Sequence, residues 1–377
     1  MMKKLLEYLA VVLAVAGCSK GGGSGSMDWN VFRGDSSLSG YTDQVLPSKP
    51  RLLWSFTTGP RAEGSPVVKD GVTYWFDRRG KMYGVDPDGV QVFEKDFDTF
   101  IEATPLINGD VLYIGTTSGS LLAMILPDGD ILWEYETEGQ ISASPNLASF
   151  AGKAAVVVGS YDNWMYCIDA EDGTLLSRYE SGYYLNGAAA CWRQEVLFGG
   201  CDQWLRMIDC TTGTAVDSLK LDAYIPSSPA ISGNTAYVGD YSGNLYAVSL
   251  QDGKMGKWSK LKEATEESSD YVSVPAVDSK AVYAFSSDRQ LNSYSRKDGN
   301  LNWSVLLKGN PGQSSPLVCR DKVIACTKNG IVCIFDKSDG SLLWEYDAGE
   351  DIIASPAVIK DRFMILTAKG TLLCFGK

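Results

Sequence analysis

Short apolar segments alternate with tight polar turns along most of the chain. One unit starts at Ser315-Pro316, contains three apolar segments separated by a charged turn and a Lys-Asn-Gly turn, and ends at Trp344. Apolar segments of this length between turn residues predict three short strands and a fourth that carries the tryptophan, joined as one antiparallel sheet. Because such a sheet has two apolar faces, it needs copies of itself packed on both sides.

Copies of this unit follow one another at a period of about 40 residues, which is typical of propellers. A glycine that precedes the tryptophan-type strand recurs at Gly89, Gly129, Gly173, Gly213, Gly253, Gly299 and Gly340. Each unit also begins with a Ser-Pro-like pair, whose second residue is Pro66, Pro105, Pro145, Ala189, Pro229, Pro275, Pro316 or Pro356. The sequence therefore contains eight units.

The tryptophan position also occurs eight times, but its first member precedes the first Ser-Pro pair. The eight residues are Trp54, Phe93, Trp133, Ser177, Asp217, Trp258, Trp303 and Trp344. The chain thus begins with a fourth strand and ends after a third strand, at 372–375. We predict an all-β fold, an eight-bladed β-propeller of four-stranded antiparallel blades. In this fold the N-terminal strand completes the last blade, which closes the ring without a free sheet edge.

The recurrent tryptophan is expected to pack between neighbouring blades, where a large apolar ring buries most of its surface. Ser177 and Asp217 depart from this pattern, so the fourth strands that carry them are expected to be irregular at the outer edge of their blades. Trp258 fits the pattern only with a one-residue shift after its glycine.

Charge limits the classes of partner. The chain has 34 Lys and Arg against 46 Asp and Glu, which gives a formal net charge of -12. A surface this acidic repels phosphate backbones and disfavours adsorption to anionic lipid. We therefore expect no nucleic-acid partner.

Residues 1–17 have the pattern of a signal peptide, with a basic start and a short apolar run. The run ends in Val15-Ala16-Gly17-Cys18, and small residues before a cysteine resemble the lipobox of bacterial lipoproteins. That resemblance implies cleavage before Cys18 and lipidation of this residue. The alternative is an ordinary secretory signal with an incidental cysteine. Residues 18–27 then form a Gly/Ser tether, either native or an engineered scar, and residues 28–377 form the propeller.

The repeat also carries a family resemblance. The spacing of Asp336, Gly340 and Trp344 resembles the repeat of pyrroloquinoline-quinone (PQQ) type propellers, and Trp29 to Gly40 is similar to their lead-in. The resemblance covers about residues 28–377. Among bacterial lipoproteins, eight such PQQ-like blades are most similar to the BamB family of outer-membrane β-barrel assembly lipoproteins. This resemblance implies a non-catalytic scaffold in the cell envelope, anchored to the outer membrane on its periplasmic side. It would hold an outer-membrane assembly protein or another envelope protein at one mouth of the ring.

One mouth of the predicted ring is rich in aromatic residues. Strand direction alternates in each blade, so the second-to-third-strand turns lie on the same face as the loops that lead into each Ser-Pro strand. The candidate binding residues on this face are Tyr161, Trp164, Tyr183, Tyr184, Trp204, Tyr224, Tyr241 and Tyr271. They form either a recognition patch for a peptide strand, a sugar or a partner protein, or covers for their own blades.

The residues argue against several kinds of chemistry. The chain has no histidine, which removes His-based triads and His zinc sites. The PQQ dehydrogenases that the repeat resembles commonly carry two adjacent cysteines near the cofactor, and no two cysteines are adjacent here. The Asp-x-Asp-Gly turn at 86–89 lacks the further ligands of a calcium loop, so a β-turn explains it. We therefore predict no catalytic residue, metal site or PQQ cofactor. PQQ-dependent oxidation and a glycan- or peptide-binding lipoprotein are the alternatives.

Eight cysteines follow Cys18, and most occupy apolar strand positions, where a free thiol behaves as a small hydrophobe. Their spacing matches neither a disulfide framework nor a zinc site. Cys191 and Cys201 flank one hairpin and are the pair that the sequence singles out as a candidate disulfide.

Overall fold

The computed structural model describes residues 26–150, 152–251, 253–262, 273–286 and 288–377. The predicted signal peptide, Cys18 and Tyr271 lie outside these residues. The described chain forms 32 strands in eight four-stranded antiparallel sheets. The described ranges contain one helical element, a 3-10 turn at Phe32–Gly34, and no helix that is long and apolar enough to cross a membrane.

The first four blades follow one another in chain order, each as a meander of four strands. β1 (Arg51–Thr57) precedes them and belongs to the last blade. Blade 1 contains β2 (Val67–Lys69), β3 (Val72–Phe76), β4 (Lys81–Val85) and β5 (Gln91–Asp96), and blade 2 contains β6 (Leu106–Asn108), β7 (Val111–Gly115), β8 (Ser120–Ile125) and β9 (Asp130–Glu136). Blade 3 contains β10 (Asn146–Phe150), β11 (Lys153–Gly159), β12 (Trp164–Asp169) and β13 (Leu175–Glu180), and blade 4 contains β14 (Ala190–Trp192), β15 (Glu195–Gly199), β16 (Trp204–Asp209) and β17 (Thr214–Lys220).

The remaining blades repeat the same order. Blade 5 contains β18 (Ala230–Ser232), β19 (Thr235–Gly239), β20 (Leu245–Gln251) and β21 (Lys254–Lys262), and blade 6 contains β22 (Ala276–Val277), β23 (Ala281–Ser286), β24 (Gln290–Ser295) and β25 (Leu301–Leu306). Blade 7 contains β26 (Leu317–Val318), β27 (Lys322–Cys326), β28 (Ile331–Asp336) and β29 (Leu342–Asp347), and blade 8 contains β30 (Ala357–Ile359), β31 (Arg362–Leu366), β32 (Thr371–Gly376) and β1.

The predicted ring closure is confirmed. β1 pairs antiparallel with β32, so that Trp54 lies opposite Cys374 and Phe56 opposite Leu372. Around the axis, the first strand of blade 1 contacts the first strands of both blade 2 and blade 8. The N-terminal strand therefore supplies the outer edge of the last blade, and the two ends of the propeller are joined by backbone hydrogen bonds.

The recurrent tryptophan packs against the next blade, as the sequence predicts. Gly89 has φ +85°, and a Cβ built on it would lie 2.8 Å from the Trp54 ring. Gly340, at φ +75°, has the same relation to Trp303, at 2.7 Å. The indole nitrogens of these two tryptophans donate to the carbonyls of Pro87 and Lys337, at 2.9 and 3.0 Å. Gly89 and Gly340 thus each supply both a left-handed turn and the space for a neighbouring blade's ring.

The expected irregularity at Ser177 and Asp217 is wrong. β13 and β17 pair along their lengths with a single register shift, of the kind that also occurs beside β5, β9, β25 and β29. Both residues replace ring packing with a hydrogen bond to the next blade: Ser177 Oγ donates to the carbonyl of Cys210 at 2.5 Å, and Asp217 Oδ2 accepts from the amide of Met255 at 2.7 Å. Two shifts occur between β20 and β21, where the glycine-to-Trp258 spacing is one residue longer.

Hydroxyl side chains link six consecutive blades around the axis. Each hydroxyl belongs to the residue before the proline of a Ser-Pro-like pair. It accepts the backbone amide of the matching residue in the preceding blade. Five such bonds, of 2.8 to 3.1 Å, run from the amide of Val274 through Ser315, Ser355, Ser65 and Thr104 to the hydroxyl of Ser144. We call these hydroxyl residues the hydroxyl belt. The belt stops where Ala188 occupies the matching position in blade 4, because alanine offers no acceptor.

Residues 26–46, the N-terminal segment, cover one mouth of the ring. Its carbonyls accept amides from the first strands of six blades. The Trp29 carbonyl accepts from blade 1, and the Gly40 carbonyl accepts from blade 7. Arg33 is buried at the axis, and its guanidinium donates to the carbonyls of Pro316 and Pro275 at 2.5 and 3.1 Å. Burial lowers the Arg33 pKa to about 9, while the nearby Asp35 carboxylate acts in the opposite direction, so the side chain stays charged at neutral pH.

This covered mouth carries the first-to-second-strand turns, and we call it the bottom face. Gly71 lies in such a turn, and its amide donates to the carbonyl of Met27 at 3.2 Å. The opposite mouth, the top face, carries the second-to-third-strand turns and the loops that connect blades.

Candidate binding face

The top face is built by a hydrogen bond that repeats from blade to blade. A carbonyl of the loop leading into a blade accepts the amide of a residue in that blade's second-to-third-strand turn, which sets two residues side by side. The loop and turn residues joined in this way are Arg61 and Arg78, Phe100 and Thr117, Gln140 and Tyr161, Tyr184 and Cys201, Tyr224 and Tyr241, Asn310 and Lys328, and Asp351 and Ala368. The chemical character of the face therefore changes around the ring, and it is aromatic in blades 3 to 5.

Three of the predicted residues form one cluster where blades 3 and 4 meet. The rings of Tyr161 and Tyr184 stack with centroids 5.2 Å apart and an interplanar angle of 17°, and Tyr183 lies 4.5 Å from Tyr184. Tyr183 is 50% exposed and Tyr184 is 43% exposed. Burial of the third ring raises the pKa of Tyr161. Large, exposed rings that are already held against one another lose little freedom on binding, which suits them to recognition.

A second pair continues the aromatic surface into blade 5. The amide of Tyr241 donates to the carbonyl of Tyr224 at 2.7 Å, and both side chains are about half exposed. Together with the cluster of blades 3 and 4, these residues form what we call the tyrosine face: Tyr161, Tyr183, Tyr184, Tyr224 and Tyr241.

The two predicted tryptophans differ from the tyrosines in their surroundings. Trp164 is half-buried against the core between blades 2 and 3, and the Arg178 guanidinium lies 4.2 Å from its ring centroid. Since Arg178 belongs to the outer strand of the same blade, Trp164 covers its own blade. Trp204 is also half-buried at the start of β16, and its amide donates to Asp202 at 3.2 Å. Tyr271, the last predicted residue, is outside the described residues.

Asp202 holds the loop that carries Tyr183 and Tyr184. Its Oδ2 accepts the amide of Gly182 at 3.1 Å and the guanidinium of Arg206 at 2.5 Å. Burial alone would raise the pKa of the Asp202 carboxyl, but the hydrogen bonds and positive charge of Arg206 lower it below its ordinary value. The carboxylate is therefore ionised at neutral pH and fixes the tyrosine loop to the turn of blade 4.

Sequence reasoning missed Phe100 and an ion-pair group beside it. Phe100 is 60% exposed on the top face of blade 2. Arg78 donates to Glu102 at 2.9 Å, and Glu102 accepts from Gln140 at 3.3 Å, which links blades 1, 2 and 3. A signal was present in the sequence. The residue five positions before the second member of the Ser-Pro-like pair is Phe100, Gln140, Tyr184 or Tyr224 in blades 2 to 5.

The candidate disulfide between Cys191 and Cys201 is wrong. All eight cysteines in the described residues are free thiols, so the decisive point is where these two lie. Cys191 is buried in the core between blades 3 and 4, whereas Cys201 lies in a top-face turn and accepts a hydrogen bond from Asn186 at 3.3 Å. In addition, no group of three or more acidic, cysteine or histidine residues in the described ranges is arranged to hold a metal ion.

Fold and face together define the class: an eight-bladed, PQQ-like repeat β-propeller with an aromatic face on one mouth and its own N-terminal segment across the other. A family model described as "Outer membrane protein assembly factor BamB" matches residues 47–199 and 201–377. The chain belongs to this family. It is similar to the outer membrane protein assembly factor BamB of Shewanella oneidensis, with 23% identity over 372 residues that cover 84% of this chain and 89% of that protein.

Solved structures share the fold. The crystal structure of BamB from Moraxella catarrhalis has a TM-score of 0.73 at 18% identity, covering 87% of this chain and 100% of that chain. The quinohemoprotein alcohol dehydrogenase of Comamonas testosteroni has a TM-score of 0.76 at 14% identity, covering 98% of this chain and 84% of that chain. An assembly factor and an enzyme thus have this architecture, so the fold does not decide between them.

Proposed function

We propose that this protein is a non-catalytic scaffold of the bacterial cell envelope that acts in the assembly of outer-membrane β-barrel proteins. The observation that carries the proposal is the tyrosine face, a cluster of half-exposed rings next to ion-paired side chains on the top face. Tyrosine and arginine are enriched at the centres of protein interfaces, where they supply much of the binding energy. The partner is a component of the barrel-assembly machinery, as the names of the curated relatives suggest.

The position of the N-terminal segment supports an anchor on the side away from the partner. Ser26, the first described residue, accepts the amide of Lys360 at 3.0 Å, in the first-to-second-strand turn of blade 8 on the bottom face. Lipidation of Cys18 and a tether over residues 18–27 would then attach the propeller to the outer membrane by its bottom face. The tyrosine face would point into the periplasm. Replacing Cys18 by alanine tests the anchor. If the lipid on Cys18 holds the protein at the membrane, this variant should be released from the membrane fraction.

Two observations support a non-catalytic role. The chain has no histidine to act as a near-neutral general base. Two cations of the top face in blade 1 are already paired, because Arg61 binds Glu63 at 2.8 Å and Arg78 binds Glu102 at 2.9 Å. An anionic quinone would have to compete with these carboxylates. Binding of added PQQ with calcium, or dye reduction in its presence, would contradict the non-catalytic reading.

Capture of envelope partners tests the scaffold directly. Membrane-anchored protein is recovered from detergent-solubilised envelopes, and the same is done with a variant in which Tyr183, Tyr184 and Tyr224 are serine. A matched control replaces Leu301 and Leu306, exposed residues of the outer strand β25, with serine. We expect the native protein and the control to recover an outer-membrane barrel-assembly component and the tyrosine variant to lose it. Equal recovery by all three proteins would refute docking at the tyrosine face.

A glycan or peptide ligand is the second candidate, and one feature favours it. The stacked pair of Tyr161 and Tyr184 lies beside a polar group in which Ser142 and Gln140 donate to Glu102, at 3.2 and 3.3 Å. Ring stacking beside hydrogen-bonding groups is an arrangement that suits sugars as well as peptides. Saturable binding of envelope glycan fragments, lost in the tyrosine variant, would favour this function over the scaffold.

A further inference from the structure

Two buried cysteines face each other across the boundary between blades 3 and 4. Cys167 lies on β12 and Cys210 directly follows β16, and their sulfur atoms are 2.9 Å apart. Neither side chain is exposed to solvent. The two residues are 43 positions apart in the chain, so the contact joins separate repeat units rather than neighbours in one hairpin.

This is one of the boundaries at which the tryptophan of the repeat is missing. Ser177 stands at that position, directly opposite Cys167 in the β12–β13 pair, and its hydroxyl donates to the carbonyl of Cys210. Where Gly89 and Gly340 of other blades receive an indole ring, Gly213 faces the backbone of Arg178. The cysteine pair therefore lies at the place where the usual apolar contact between blades has been lost.

We propose that Cys167 and Cys210 form a disulfide that covalently joins blades 3 and 4. A disulfide has a sulfur–sulfur distance of about 2.0 Å, so the two atoms need to approach by only about 0.9 Å from their present separation. The bond would replace the missing tryptophan contact with a covalent one. This inference is independent of the docking role, because it requires only that the chain fold in the presence of an oxidant.

The oxidant is a second disulfide, either a small molecule such as oxidised glutathione or the active-site disulfide of a thiol oxidase. The Cys167 thiolate attacks one sulfur of that disulfide, forms a mixed disulfide and releases one thiol. The Cys210 thiolate then attacks the Cys167 sulfur and expels the second thiol. The protein loses two protons and two electrons, and the oxidant gains them as two thiols.

The contact between the two sulfurs lowers the pKa of Cys167, and the same contact together with burial raises the pKa of Cys210. The thiol that meets the oxidant as the blades come together is therefore written as Cys167. Because both sulfurs are inaccessible once the blades have packed, the exchange takes place during folding and the finished bond resists reductants while the protein stays folded.

Cys191 is the competing partner, since it belongs to the same buried cluster between blades 3 and 4. Its sulfur is not the one that faces Cys167, whose contact at 2.9 Å is with Cys210. Trypsin separates the candidates, because cleavage after Lys153, Arg178, Arg193, Arg206 and Lys220 places Cys167, Cys191, Cys201 and Cys210 on four different peptides. The pairing can therefore be read from the peptides alone.

The test uses full-length protein from aerobically grown cells, and the same chain refolded with oxidised and reduced glutathione. Free thiols are alkylated in denaturant before digestion and mass spectrometry. We expect peptides 154–178 and 207–220 to be joined and to separate on reduction. The peptides that contain Cys191 and Cys201 should be alkylated. Alkylated Cys167 and Cys210 in both samples, or a bond from either one to Cys191, would overturn the proposal.

A second measurement detects the bond through stability. Reductant present during unfolding should lower the urea midpoint of the native protein and leave that of the Cys167→Ala, Cys210→Ala double variant unchanged. The Cys191→Ser variant is the matched control, and it should keep the reductant-dependent shift. A native protein whose midpoint ignores reductant would contradict the cross-link, whatever the outcome of the docking experiments.

Discussion

The hydroxyl belt predicts that two equally buried serines differ sharply in their effect on stability. Ser355 and Ser227 are each 4% exposed, and both lie close to the axis in the approach to a first strand. Ser355 Oγ accepts the amide of Ser315 at 3.1 Å, whereas Ser227 Oγ has no hydrogen-bond partner within the described part of the chain. The substitutions Ser355→Ala and Ser227→Ala therefore remove the same atoms from similar surroundings and differ in the bond that is lost.

The expected difference follows from the group left behind. Ser355→Ala leaves the buried Ser315 amide without its acceptor, and an unsatisfied buried donor costs about 1–3 kcal/mol. Ser227→Ala removes a hydroxyl that has lost its water without gaining a partner, so its effect on the free energy of unfolding should be near zero or favourable. Urea unfolding followed by tryptophan fluorescence compares the two variants through their midpoints at constant slope. Equal midpoints, or a larger loss for Ser227→Ala, would refute the role of the belt.

Three further predictions concern the blade contacts, the tyrosine loop and the N-terminal segment. Gly340→Ala should lower the free energy of unfolding in urea by about 1–3 kcal/mol more than Gly349→Ala does. Both glycines have left-handed φ, but of the two only Gly340 lies against the Trp303 ring. Equal losses would contradict the packing. Asp202→Asn should destabilise the protein at neutral pH. Because the folded pKa of Asp202 is lowered, its contribution is present above the unfolded value of about 3.9 and is lost as the pH falls through the folded pKa, so the two proteins should converge in acid. A difference that persists in acid would assign the effect to another cause. Arg33→Ala should speed amide exchange in the N-terminal segment while the blades stay protected, because two axial carbonyls lose their donor; unchanged exchange would contradict its anchoring role.

The fold was predictable because each repeat carries its own backbone requirements. Proline fixes the start of the first strand, and glycine occupies a left-handed turn against a neighbouring ring, as Gly89 does against Trp54. These demands are local and leave a mark at a constant period. The ring closure followed from the same count, because the first tryptophan position precedes the first Ser-Pro pair.

The contacts between blades were less predictable, because they depend on which residues meet across a boundary. Ser177 departs from the tryptophan pattern, yet its strand remains regular because its hydroxyl bonds to the next blade. The sequence singled out Cys191 and Cys201 from their closeness in one hairpin. The sulfurs that meet are those of Cys167 and Cys210, which lie one repeat apart. A spacing of one repeat shows which blades are neighbours, but it does not show which side chains are in contact.

The aromatic top face was predictable in part for a similar reason. Strand alternation alone places Tyr161, Tyr184 and Tyr224 on one mouth, but their stacking depends on loop geometry that no periodicity specifies. Trp164 occupies a polar position of the repeat and lies beneath Arg178 of its own blade, so an aromatic residue at a turn was not sufficient evidence of a free surface. Phe100 was not predicted, although it has the same position relative to its Ser-Pro-like pair as Tyr184 and Tyr224.

Site-specific photo-crosslinking in intact cells tests the central claim most directly. A photoreactive amino acid replaces Tyr184 on the top face or, as the control, Leu306 on the outer strand β25, which is 66% exposed. Docking through the tyrosine face predicts a crosslink from position 184 to a component of the outer-membrane barrel-assembly machinery and none from position 306. A crosslink to that component from 306 alone, or from neither position, would contradict it.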